Sequence, residues 1–213
     1  MLDNIINNYY FQNIVYSLMF ILFSVSTIDY MKKRKLNFKS RISTKSIDYK
    51  FLLRISSFSF FIRILFEQIQ LYLNINQTSE VFNVTILSLI TFFVVRCIIA
   101  PITEEIVFRF GLFEIINKKT KSVWAIIVSS IIFSVLHGYL TFDTVLLTFL
   151  SIIWTYSYFK KKNLFYPIIV HFFHNVYAMI SFANINNIYY IILGIVCFIV
   201  WFILKLKKEV TNK

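Results

Sequence analysis

Runs of about 20 uncharged, mostly apolar residues, each long enough as a helix to cross a hydrocarbon core ~30 Å thick, constrain this chain more than any other feature. Candidate spans lie near 9–28, 51–73, 81–116, 122–140, 140–159, 164–182 and 188–204. Eighteen of the 22 lysines and arginines fall in four places between them, 32–50, 118–121, 160–162 and 205–213. If seven spans begin outside the cell, all four clusters face the cytoplasm, while the connections 1–8, 74–80, 138–143 and 183–187 carry no basic residue. That asymmetry predicts an all-α, polytopic transmembrane bundle with its N-terminus outside and its C-terminus cytoplasmic. A count wrong by one span would scatter the clusters over both faces.

Composition excludes the other readings of so basic a chain. The net charge is +12, but 58% of the residues are hydrophobic and only three are glycine and two proline. A basic patch on a soluble nucleic-acid binder would not come with uncharged runs of this length, so the expected partners are the lipid bilayer and a peptide or membrane-protein substrate, with no nucleic acid. Span 9–28 lacks a basic leader and a small-residue cleavage site and reads as a retained span. Cys97 and Cys197 both lie in predicted helices, which argues against a disulfide framework. The loop 32–50 carries eight basic residues and is expected to rest against anionic headgroups.

Within the third span, Ala100 to Phe113 reads APITEEIVFRFGLF, and its charges need a reason. A charged side chain at a helix centre costs at least ~2.5 kcal/mol even on lenient insertion scales, so intramembrane acids mark a functional site by default. Glu105 and Arg109 are four residues apart and can pair on one face. Glu104 is rotated by ~100° and is left for other work. Pro101, one turn earlier, predicts a kink by freeing the carbonyl four residues before it. In the second span, Arg63 and Glu67 have the spacing of a helix clamp facing the bundle.

All three histidines, His137, His171 and His174, also fall in predicted spans. Counting the rise from the basic clusters puts Glu104 ~20 Å deep, His137 ~22 Å, His171 ~10 Å and Asn175 ~16 Å, similar levels on three helices. A carboxylate and an imidazole can hold and deprotonate water, while a second imidazole and a carboxamide can donate to an oxyanion. Two histidines and a glutamate, Glu104, His137 and His171, are equally a catalytic zinc set. The residues alone leave both open. No HExxH and no glycine-flanked nucleophilic serine occurs, and Asp29, Asp48 and Asp143 sit at span ends or in a loop, which argues against three other types of intramembrane protease.

The three patterns Glu104-Glu105-Ile-Val-Phe-Arg109, Phe133-Ser-Val-Leu-His137 and His171-Phe-Phe-His-Asn175 resemble, in order, the motifs of the CPBP family of intramembrane proteases, also called the CAAX protease and bacteriocin-processing, or Abi, family. One departure is that Phe110 stands between the arginine and Gly111. The resemblance implies an endopeptidase in which Glu104 and His137 activate water and His171 and Asn175 polarise the scissile carbonyl. Glu105, Arg109 and Phe133 would support them, and zinc, if bound, would sit on Glu104, His137 and His171. With no internal repeat visible, the chain reads as a single domain arranged as two N-terminal helices (1–80), a CPBP-like catalytic helical core (81–182), and a last helix with a basic tail (183–213). A multi-pass protein of a bacterial plasma membrane, acting in bacteriocin immunity or peptide maturation, is the expected setting, since the many Ile, Asn, Lys and Phe residues fit an AT-rich genome. A non-catalytic immunity or scaffold protein on the same fold is the competing expectation.

Overall fold

The computed structural model describes residues 9–75, 86–138, 141–181, 192 and 194–204. Among them are seven helices and no strand. These are α1 (Tyr9–Lys33), α2 (Tyr49–Tyr72), α3 (86–117), α4 (Ser122–Val135), α5 (Phe142–Lys161), α6 (Phe165–Ser181) and α7 (Gly194–Leu204). Each matches one expected run. The termini, the tail cluster 205–213, and most of the connections expected outside lie beyond the described residues. By length and composition α1 and α5 are apolar enough to cross a membrane, whereas α4, α6 and α7 are shorter apolar helices. The fourth run was expected to reach residue 140, but its helix stops at Val135.

Local chemistry sets the ends. Asp48 caps α2 by accepting from the Phe51 N–H at 2.9 Å. Thr141 and Thr144 form a reciprocal capping box at the start of α5, and Lys162 closes that helix in the left-handed region at φ 49°. α3 alternates: a π-helical stretch Phe93–Ile99, an α-helical Ala100–Glu105, then a second π-helical stretch Ile106–Phe113. Such π turns shift side chains around the axis and frequently accompany functional sites. Here they flank the two acids on both sides.

α1 lies along α3, α4 along α5, and α5 also touches α2 and α6. α1 comes close to α3 at Gly111, where an added Cβ would stand 2.7 Å from Thr27 Cγ2. Phe110, the departure from the family pattern, is fully buried and meets Phe38 edge-on at 5.5 Å. That contact seats the first loop. Its backbone is held further by the α5–α6 turn: Leu164 N–H donates to the Arg41 carbonyl (2.7 Å), and the Asn163 amide exchanges bonds with the Ser43 backbone (2.7 and 3.2 Å). The loop expected to lie on headgroups is thus first a docked part of the protein, although Lys39 and Lys45 point outward.

Candidate active site

α3 brings both acids to the interior, where Glu104 is 2% and Glu105 0% exposed. Glu105 Oε2 lies 2.9 Å from Arg109 Nε, one turn on. The guanidinium is buried too, which would be costly without the pairing and the ring faces around it. It stands 4.4 Å over the Phe133 ring and 5.7 Å from the Trp154 ring, and its Nη2 donates to Ser151 Oγ at 2.9 Å. Arg109 therefore ties α3 to α4 and α5 at the level of the acids.

The other oxygen of Glu105 accepts from His171 Nδ1 at 2.9 Å, and Trp154 stacks on that imidazole at 4.4 Å. This leaves His171 Nε2 turned to Glu104 Oε2, 3.8 Å away. His137 is held in a parallel way. Its Nδ1 is 2.7 Å from the Phe133 carbonyl, an oxygen that only accepts, so Nδ1 carries the hydrogen. The ring thereby satisfies one of the carbonyls left over at the end of α4. Its Nε2 lies 3.1 Å from Glu104 Oε2, and a bare lone pair facing a carboxylate oxygen would be repulsive, so one proton sits between them.

Glu104 thus faces two imidazoles with a single oxygen. Its second oxygen, Oε1, accepts a hydrogen bond from the Tyr16 hydroxyl of α1. His137 keeps 24% of its side chain exposed against 2% for Glu104, so the site opens on the His137 side.

Asn175 is engaged elsewhere. Its Nδ2 donates to the Arg96 carbonyl at 2.6 Å. In the π register the Ala100 N–H reaches back five residues to the Val95 carbonyl, and the next N–H in line belongs to position 101, a proline. Arg96 is the carbonyl that Pro101 leaves without a backbone donor, and the Asn175 amide supplies one. An α register would free the carbonyl four residues back, at Cys97, and the π register that ends at Ala100 frees that of Arg96. His174, the third histidine, meets α2: its Nε2 is 2.8 Å from Ser59 Oγ and its ring stacks on Phe60 at 4.4 Å. The Arg63–Glu67 pair (2.8 Å) clamps α2 to α6, with Tyr177 donating to Glu67 and Arg63 to the His174 carbonyl.

Tyr16, Ser151 and Trp154 escaped the sequence reading. For Tyr16 a signal existed: Asn13, Ser17 and Ser24 form a buried polar stripe at helical spacing in an otherwise apolar run.

The donors fit zinc in type, with both Nδ1 sides occupied and both Nε2 atoms on the Glu104 side. Among the described residues no three His, Cys, Asp or Glu side chains are already drawn together around a metal position.

The family described as Type II CAAX prenyl endopeptidase Rce1-like matches residues 86–177, which contain all three motifs. That segment is similar to this endopeptidase family. A Bacillus subtilis (strain 168) protein titled "Putative membrane peptidase YdiL" is 32% identical over 87 residues, 41% of this chain and 35% of that protein. The chain therefore spans about a third of the length of the relative it matches. No solved structure matches it. The three motifs inside the matched segment lie on α3, α4 and α6, the helices that carry Glu104, His137 and His171. Tyr16 lies outside the matched segment.

Proposed function

We propose that this chain is an intramembrane endopeptidase that hydrolyses a peptide bond of a membrane-associated peptide or protein. One observation carries the reading: two imidazoles turn their Nε2 atoms to the same oxygen of a buried carboxylate, at 3.1 and 3.8 Å. A water entering beside His137 reaches both Glu104 and an imidazole. Its oxygen attacks the scissile carbonyl carbon while its proton passes to Glu104 Oε2. His171, its Nδ1–H held by Glu105, donates to the developing oxyanion from Nε2 in its doubly protonated form. When the C–N bond breaks, that proton goes on to the leaving amine, giving a carboxylic acid and an amine, and the acid then passes its own proton to the amine to leave a carboxylate and an ammonium group. Asn175 holds the Arg96 carbonyl in the resting site and serves the oxyanion only if that bond is exchanged.

No step is routed through a metal. If zinc is bound, Glu104, His137 and His171 would hold it, and it would supply a Lewis acid and a more acidic water. Metal analysis of the wild type and of His137→Ala/His171→Ala checks this: zinc that leaves with the double substitution assigns it to these residues, and a content unchanged by it counts against zinc there. The positive-inside pattern supports seven spans with the N-terminus outside, and the relative's title supports a peptidase in a bacterial cell membrane. A role in bacteriocin immunity or peptide maturation belongs to the same proposal.

The test is cleavage in membranes, with a farnesylated peptide ending in a CAAX-type motif and an unprenylated membrane peptide as probes. The wild type should process one of them and Glu104→Ala neither; equal processing by both chains would remove the catalytic reading and favour a binding protein on the same fold.

A further inference from the structure

We infer that Tyr16, on the first helix, is a positioning residue of this site: its hydroxyl fixes the carboxylate of Glu104 so that one oxygen, Oε2, is presented to His137 and His171. The inference rests on the proposed role of Glu104 and extends the site beyond the segment that the family match covers.

A buried carboxylate turns about its last side-chain bond unless both oxygens are engaged. Oε2 faces the two imidazoles, and Oε1 accepts from Tyr16, a part-buried hydrogen bond to a charged acceptor. Tyr16 is itself held on two sides. The Arg96 guanidinium lies 4.5 Å over its ring, and Arg96 Nε donates to Asn13 Oδ1, one turn back on α1, at 3.2 Å. The Arg96 backbone is in turn fixed by Asn175 at 2.6 Å. Phe20, a turn further along α1, packs on the other part of the ring at 4.6 Å between centroids. The hydroxyl therefore reaches Glu104 from a ring that is pinned.

The composition of α1 fits this work. Ile14, Leu18, Leu22 and Val25 are exposed, as lipid-facing residues would be, while Asn13 is 2% and Ser17 7% exposed. A span that buries its polar side is docked on a polar interior, and at the level of Glu104 that docking is made by Tyr16.

Two readouts test the inference separately from the protease reading. In infrared difference spectra of the purified full chain, the Glu104 carboxylate bands are assigned by Glu104→Gln. Tyr16→Phe, which keeps the ring, should shift those bands; bands unmoved by Tyr16→Phe overturn the inference whether or not any peptide is cleaved. Should Tyr16→Phe fail to accumulate, the reciprocal measurement in Glu104→Gln should move the C–O stretch of one tyrosine, and no tyrosine band moving overturns the inference. With whichever of the two probe peptides the wild type cleaves, Tyr16→Phe should lower kcat about 10- to 100-fold, as loss of a partner behind a working group does, with KM within about twofold. An unchanged kcat overturns the positioning role. If the wild type cleaves neither probe, the protease reading fails on these substrates and the spectra alone decide the Tyr16–Glu104 contact.

Discussion

At the scale of single residues, burial decides what each charge can do. Glu105 and Arg109 are 0% and 1% exposed and paired at 2.9 Å, so removing either leaves the other charged in an apolar interior. Arg109→Met is expected to cost about 3 to 5 kcal/mol, the range for breaking a buried pair from one side. Thermal unfolding in detergent checks it, and a loss below about 1 kcal/mol would mean the pair is solvated after all. Glu104 differs because its partners are titratable groups and a hydroxyl rather than a permanent cation, which suits proton transfer better than scaffolding. The adjacency of the two acids was plain in the sequence. Their division of labour followed from helical spacing, and the structure keeps it: Arg109 pairs with Glu105, and His137 with Glu104.

At the scale of elements, α3 controls the site through its irregular winding and one close approach. Gly111→Ala would put a methyl group 2.7 Å from Thr27 Cγ2, and a β-branched neighbour has little room to give. A loss of about 1 to 3 kcal/mol is expected, as for other overpacked contacts. Thr27→Ser removes that methyl group and should restore most of the loss, so an unfolding midpoint of the double variant no higher than that of Gly111→Ala would refute the contact. A second pair probes the π turn. Pro101→Ala restores an N–H in register with the Arg96 carbonyl, so Asn175→Ala should destabilise the Pro101→Ala background less than the wild type, by a coupling of about 0.5 to 3 kcal/mol. Additive effects would show that the Asn175 amide does not replace the missing donor. α4 offers a third lesson. At 14 residues, or ~21 Å, it is shorter than a hydrocarbon core, and its last turn ends where His137 folds back on the Phe133 carbonyl. The apolar run through residue 140 concealed this stop, because periodicity does not register a side chain bonding a helix end.

At the scale of the whole molecule, the first loop and the α5–α6 turn form one assembly around Glu114, which accepts from Tyr158 at 2.9 Å and lies within 3.7 Å of Arg41 and 3.6 Å of Lys162. Lys161 binds Asp48 at 2.7 Å and, with the Phe51 N–H, holds the Asp48 carboxyl below its ordinary value against a smaller opposing effect of burial. A depressed folded pKa contributes stability that is complete above the unfolded value of ~3.9 and is lost as pH falls through the folded one. Hydrogen exchange should therefore show loop amides near 43–51 losing protection below pH ~4 in the wild type, and the Asp48→Asn variant should lack that step. Sequence alone determined the helical runs found among the described residues and grouped the basic clusters on one expected face, because uncharged runs and charges partition between lipid and water without reference to the rest of the fold. It also singled out the candidate set, since acids and imidazoles in apolar runs are costly, and the structure brings Glu104, His137 and His171 together. Only the tertiary structure decided which atoms meet. Tyr16 lies 88 positions before Glu104 and Trp154 lies 17 before His171, and separations across helices follow from packing and from the π register, neither of which leaves a period in the chain.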